Sequence, residues 1–159
     1  MLPEIATAAR CYAVGDAFLT RLVGDFTEAD WAVRDASGHD PRWLVGHLAT
    51  YRNRVAAALG LPVETAPWEA LFLRGTSPRD LPADLDIGAV AAAFHAAQAA
   101  MAAAWEGVTR ETLAKPVGRT LPDGTTDVAG LVGFLAWHEA YHLGQLGIFR
   151  RLAGKPGAI

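Results

Sequence analysis

Residues 128–153 read VAGLVGFLAWHEAYHLGQLGIFRRLA, and this run decides the fold class. Leu131, Leu135, His138, His142, Gln145 and Phe149 recur at intervals of three or four, the period of an α-helix, and no alternating strand pattern competes with it. Thr126 and Asp127 are N-cap candidates, and Gly154 with Pro156 forms a stop, so a helix is expected from Val128 to about Ala153. Three upstream stretches follow the same rules. One opens at Pro3, carries Ile5, Ala9, Tyr12, Leu19 and Leu22 on one face, and frays near Gly24. A second starts with the cap and first-turn proline Asp40-Pro41 and runs through WLVGHLATYRNRVAAAL to Gly60. A third begins near Asp84 or Asp86 and continues through IGAVAAAFHAAQAAMAAAW to about Trp105.

Four helices without credible strands specify an all-α four-helix bundle, expected as a single domain over residues 1–159. The link of residues 61–83 is long for a compact domain. It contains Pro67-Trp68-Glu69-Ala70-Leu71-Phe72, so a short helix around Trp68 to Leu73 is expected to lay its aromatics over the bundle as a lid. Pro122-Asp123-Gly124 is a turn signature ahead of the last helix.

Composition narrows the function classes. Hydrophobic residues make up 52% and charged residues 19% of the 159, which excludes a disordered chain and implies a substantial core. Fourteen basic against 17 acidic residues leave a net charge of −3, so neither nucleic acid nor an anionic membrane is favoured as a partner. The nearest approach to a membrane span is the short run Val128 to Trp137, and the N-terminus lacks the pattern of a secretory signal. A single cysteine, Cys11, allows no internal disulfide and no thiolate metal site, and a reducing cytoplasm is the expected compartment. Any metal chemistry must draw on His, Asp and Glu.

Five histidines supply the candidates. His138 and His142, four apart, share one helical face with about one turn of rise between them, the spacing that suits a single metal ion. Their face is otherwise apolar, and buried imidazoles need partners. A third ligand is sought on a facing helix, where His47 lies on the stripe Trp43, Leu44, His47, Tyr51, Arg54 and Val55. Three neutral imidazoles suit zinc or nickel and leave coordination positions for water or a small-molecule substrate. HxxxH also arises by chance, and a lone helical histidine is often a satisfied core residue. His95, among alanines, is open to an exposed or supporting role, and His39 in Gly38-His39-Asp40 reads as a solvated loop residue. Gln145, one turn past His142, and Tyr51, one turn past His47, are candidates to orient a ligand or substrate.

His138-Glu139-Ala140-Tyr141-His142 also matches the HExxH string of zinc peptidases, with Glu139 at the general-base position. No third ligand follows in the few residues beyond this helix, and a helical bundle lacks the peptidase sheet.

Trp43-Leu44-Val45-Gly46-His47-Leu48 together with His138-Glu139-Ala140-Tyr141-His142-Leu143-Gly144-Gln145-Leu146 resembles the DinB-like (DinB/YfiT) superfamily. The resemblance spans essentially the whole chain. It implies a four-helix bundle in which His47, His138 and His142 hold a divalent metal. It further implies an enzyme such as an S-transferase using a low-molecular-weight thiol, with a metal-dependent hydrolase, or a non-catalytic stress-response module with a structural metal, as alternatives.

Assembly is the last expectation. Gly133, Ala136, Ala140, Gly144 and Gly147 line the side of the last helix opposite its histidines, bordered by Trp137, Leu143 and Ile148. Such a stripe admits close approach by another helix, either within the bundle or from a second copy, and a homodimer through the fourth helix is expected.

Overall fold

A computed structural model describes residues 1–63 and 65–158; Glu64, within the long loop, and Ile159 lie outside the description. Four long helices form the bundle: α1 (Pro3–Val23), α3 (Pro41–Ala58), α4 (Ile87–Ala104) and α6 (Val128–Leu152). Two single-turn helices, α2 (Glu28–Trp31) and α5 (Arg110–Leu113), sit in the links. The starts follow the expected capping chemistry. Asp40 accepts from the Trp43 N–H, Asp86 from Ala89 and Asp127 from Gly130, each relieving one orphan donor of a first turn. Asp86, rather than Asp84, therefore begins α4, and Asp127, rather than Thr126, begins α6. The helix α2 lies in a stretch that the sequence pattern left as plain connection; a capping box between Thr27 and Asp30 closes it.

The helix α1 packs on α6 and α4, and α3 packs on the same two, so α1 and α3 occupy opposite corners. Their apolar stripes form two core clusters stacked along the bundle. One contains Ile5, Tyr12, Val55, Met101, Trp105, Val132 and Leu135; the other contains Leu19, Val45, Leu48, Phe94, Leu143 and Leu146. Between them lies a polar layer. Arg52, 1% exposed, donates to both Glu139 oxygens at 2.7 Å, to Asp16 at 2.9 Å, and to the Tyr12 and Phe94 carbonyls at 2.8 and 3.3 Å. Its guanidinium carbon also lies 3.4 Å from the Phe94 ring centroid. Every long helix is thus tied to one side chain.

Two sequence expectations change. The alanine-rich segment Ile87–Gly107 is long and apolar enough to cross a membrane by length and composition, whereas the sequence reading had taken the shorter Val128 to Trp137 as the nearest approach. In the bundle its Val90, Phe94, Ala97 and Met101 are buried and much of the remaining alanine surface is exposed. The second concerns the small-residue stripe of α6, which no helix of the bundle covers along its length: Ala136 is buried, but Gly133, Ala140 and Gly144 are exposed, as are Trp137, Tyr141, Ile148 and Leu152.

Removing one partner of a buried ion pair strands the other, at a cost of about 3–5 kcal/mol. Urea unfolding is expected to show Glu139→Leu and Arg52→Met each destabilised on that scale, and the double variant less destabilised than the sum of the two. Strict additivity would mean that the pair contributes nothing as a pair.

Candidate metal centre

His47 projects from the middle of α3 and His138 and His142 from successive turns of α6, towards one another. The His47 and His138 Nε2 atoms are 3.2 Å apart, and those of His142 and His138 3.1 Å. One ligand atom from each of the three lies within 4.8 Å of the other two. The outer nitrogens settle what the inner ones carry. His47 Nδ1 is 2.7 Å from the Phe72 carbonyl, which only accepts, so Nδ1 bears the proton and Nε2 of the neutral ring is a bare acceptor. His142 Nδ1 stands 2.6 Å from Gln145 Oε1, and the same reasoning leaves its Nε2 bare. His138 Nδ1 is buried without a partner. One proton on His138 Nε2 could serve one neighbour and would leave the other facing it unpaired.

A divalent cation among the three Nε2 atoms satisfies all of them. Zinc–nitrogen bonds of about 2.0–2.1 Å in a tetrahedral shell would place ligand nitrogens about 3.3 Å apart, close to the two spacings that His138 makes with its neighbours. The donor set therefore fits the ion. Burial, with the neighbouring imidazoles adding to it, pushes His138 down to about 3; burial also dominates at His47, which falls to about 4 against the opposing Phe72 hydrogen bond. Burial lowers His142 as well, opposed by Gln145. At neutral pH all three rings are in the uncharged form that a metal requires.

The surroundings hold the rings in place. His47 is stacked on Trp43, with centroids 4.5 Å apart, and packed by Tyr51 at 4.4 Å; Tyr51 also lies 4.9 Å from His138. A 3-10 helix at Pro67–Phe72 supplies the carbonyl that holds His47. It reaches α3 because residue 46 is glycine: a Cβ there would run into the Phe72 ring. Thr76 accepts from the Trp43 indole N–H at 3.0 Å and donates to the Leu71 and Leu73 carbonyls, fastening the loop beyond. The expected short helix is thus present, one residue earlier than read, and it positions a histidine.

The other candidates separate. Gln145 and Tyr51 stand at the cluster as the spacing proposed. His95 does not; its Nδ1 lies 2.8 Å from Asp16, on the edge of the polar layer. Glu139 turns its carboxylate into that layer and is 4% exposed, with both oxygens engaged by Arg52. Arg52 escaped the sequence reading, although its place on a helical face with Leu48, Ala49, Val55 and Ala56 was the available signal. His39 was read as solvated; it is half exposed, yet it lines a cavity of about 330 Å³ together with His142 and Gln145.

Three histidine donors, His47 buried and His138 and His142 half-buried, converge from two facing helices, the arrangement by which helical bundles can build a metal site. The model of the DinB superfamily matches residues 15–146, and the chain belongs to that superfamily. Among solved structures it is similar to YfiT from Bacillus subtilis, described as a probable metal-dependent hydrolase with an unusual four-helix bundle topology. The match has a TM-score of 0.68 at 18% identity and covers 98% of this chain and 91% of that one. No curated protein sequence matches the chain.

The lowered histidine values carry a stability consequence. The folded-state values of His47 and His138 lie near 4 and 3, below the ordinary 6.5, so the unfolded chain takes up more protons as pH falls through that interval. The metal-free protein is expected to lose stability progressively from about pH 6.5 downward and to gain none from these groups above it. Denaturant midpoints between about pH 7.5 and 5 should show a shallower slope in His138→Leu than in the parent; equal slopes would contradict a buried neutral His138.

Proposed function

We propose that the protein is a divalent-metal-dependent enzyme acting on a small molecule, with His47, His138 and His142 as ligands and zinc or nickel as the ion. The observation that carries this reading is the convergence of three Nε2 atoms, two of them held as bare acceptors by Phe72 and Gln145. A bound divalent ion supplies Lewis acidity and lowers the pKa of a coordinated water or thiol. The chain's own groups do the rest. Phe72 and Gln145 orient two rings, Trp43 and Tyr51 cover His47, and the cavity beside His142 admits a substrate.

The open cavity supports catalysis over a purely structural or stress-response metal, which would favour a closed shell. Hydrolysis is the first reaction to test, in keeping with the description of YfiT. Transfer of a low-molecular-weight thiol is the second. Its thiol would have to be a co-substrate, because Cys11 lies exposed on α1 beside a different groove, between α1 and α6. A peptidase mechanism with Glu139 as base finds no support, since Arg52 engages both carboxylate oxygens.

Purified protein is expected to bind one zinc or nickel ion per chain, and His47→Ala or His142→Ala to weaken binding by more than about 100-fold. Calorimetric metal titration checks this, and unchanged affinity in both variants would overturn the site. With metal bound, hydrolysis of para-nitrophenyl esters against thiol transfer to chlorodinitrobenzene separates the two reactions.

Self-association through α6 is proposed from its small-residue stripe, where Gly133, Ala140 and Gly144 are exposed beside the exposed Trp137. Light scattering should give a dimer that Ala140→Arg converts to monomer. A monomeric parent would remove this proposal.

A further inference from the structure

The loop between α2 and α3 closes on itself around one carboxylate. Asp35 Oδ1 accepts from the backbone N–H groups of Ser37 and His39, both at 2.9 Å, and Oδ2 stands 3.1 Å from His39 Nδ1. Two backbone bonds, Asp35 N–H to the His39 carbonyl and Gly38 N–H to the Asp35 carbonyl, complete the turn, and Gly38 takes the positive φ of 84° that it demands. Burial works to raise the Asp35 carboxyl, but the bonds from His39 and Ser37 outweigh it and hold it below the usual range. His39 is consequently fixed with Nδ1–H towards a carboxylate and Nε2 free to accept. The next residue is Asp40, the cap of the helix that carries His47, so the pair sits directly before that helix.

Both members line the cavity of about 330 Å³ that also reaches His142. Its apolar wall comes from Trp43, Leu44, Ile148 and Phe149, and Asp35 is the one full charge among its lining residues. Other charged or titratable groups face the loop: Arg34, which pairs with Asp40 and bonds the Gly38 carbonyl; Arg79, close to Gly38; and Tyr141 and His142 from α6.

We propose that Asp35 and His39 form a proton-transfer pair for an acyl substrate, a small uncharged ester or amide with an apolar body, held in this cavity. In hydrolysis the oxygen of water bonds to the acyl carbon and the carbon–heteroatom bond breaks. A proton from that water passes to His39 Nε2 and on to the leaving group, so water and ester give acid and alcohol. Asp35 is the positioning residue, holding the ring in the tautomer that accepts. This inference rests on the metal-centre reading above, and its test separates the two.

The probe is benzohydroxamate, whose hydroxamate ionises on binding zinc and whose ring suits the apolar wall. Calorimetry of the zinc-loaded protein near pH 8, in buffers of different ionisation heat, counts the protons released. The parent is expected to release measurably fewer protons than His39→Gln, the difference being the share that His39 Nε2 accepts. Both proteins should hold one zinc ion. With para-nitrophenyl acetate, His39→Gln and Asp35→Asn are expected to be slower by about 100-fold or more, with the acidic limb of the rate profile lost in His39→Gln. Equal proton release and equal rates in parent and His39→Gln, with zinc retained by both, would overturn the pair. Failure of the zinc-loaded parent to bind benzohydroxamate would overturn the acyl-substrate assignment. Absence of zinc binding in the parent would instead overturn the metal centre, and it is seen in the metal titration before any probe is added.

Discussion

Arg52 touches all four long helices, and the packing that brings the histidine cluster together depends on it. Its guanidinium is held by Glu139 on α6, Asp16 and the Tyr12 carbonyl on α1, and the Phe94 carbonyl on α4. A planar cation with five fixed donors tolerates little rotation or sliding of any helix around it. His47 lies five residues before Arg52 on α3, and His138 is the neighbour of Glu139 on α6. Holding Arg52 against Glu139 therefore limits how far α3 and α6 can slide past one another, and with them His47 and His138. Apolar packing alone, being non-directional, would leave that register less sharply defined.

The same layer gives Glu139 of the HExxH string a structural partner, since Arg52 engages both of its oxygens. On a helix, Glu139 points about 100° away from His138, which in this bundle is towards the interior rather than the cavity. Its carboxyl is raised by burial against the opposing Arg52 cation, so its role is bound up with that partner. One turn of helix thus serves two purposes, with its histidines on the cavity side and its glutamate on the core side.

The bundle and its three histidines were legible because both depend on local spacing. Asp40, Asp127 and the period of three and four locate the helices, and His138 with His142 is a one-turn relation within one helix. His47 was a candidate third ligand from its place on the apolar stripe of α3, but its position opposite the pair is a relation between helices that spacing does not record, and the motif resemblance supplied it. Arg52 and the Asp35–His39 pair were missed for different reasons. Arg52 depends on four elements meeting at one point, and beside Asn53 and Arg54 it reads as part of a polar surface turn. His39 was judged by its glycine and aspartate neighbours, yet the loop folds back so that Asp35, four residues earlier, captures it.

The bond from His47 to the Phe72 carbonyl has a consequence for how this centre would diversify. Because the partner is main chain, exchanging side chains in the 67–72 turn leaves the acceptor in place, and the imidazole keeps its orientation through many point substitutions. What the centre cannot absorb is a change in the course of the loop. An insertion or deletion between α3 and the Phe72 carbonyl would withdraw the acceptor altogether, so among descendants of this sequence loop length, more than loop composition, is the variable by which the ligand geometry would be retuned.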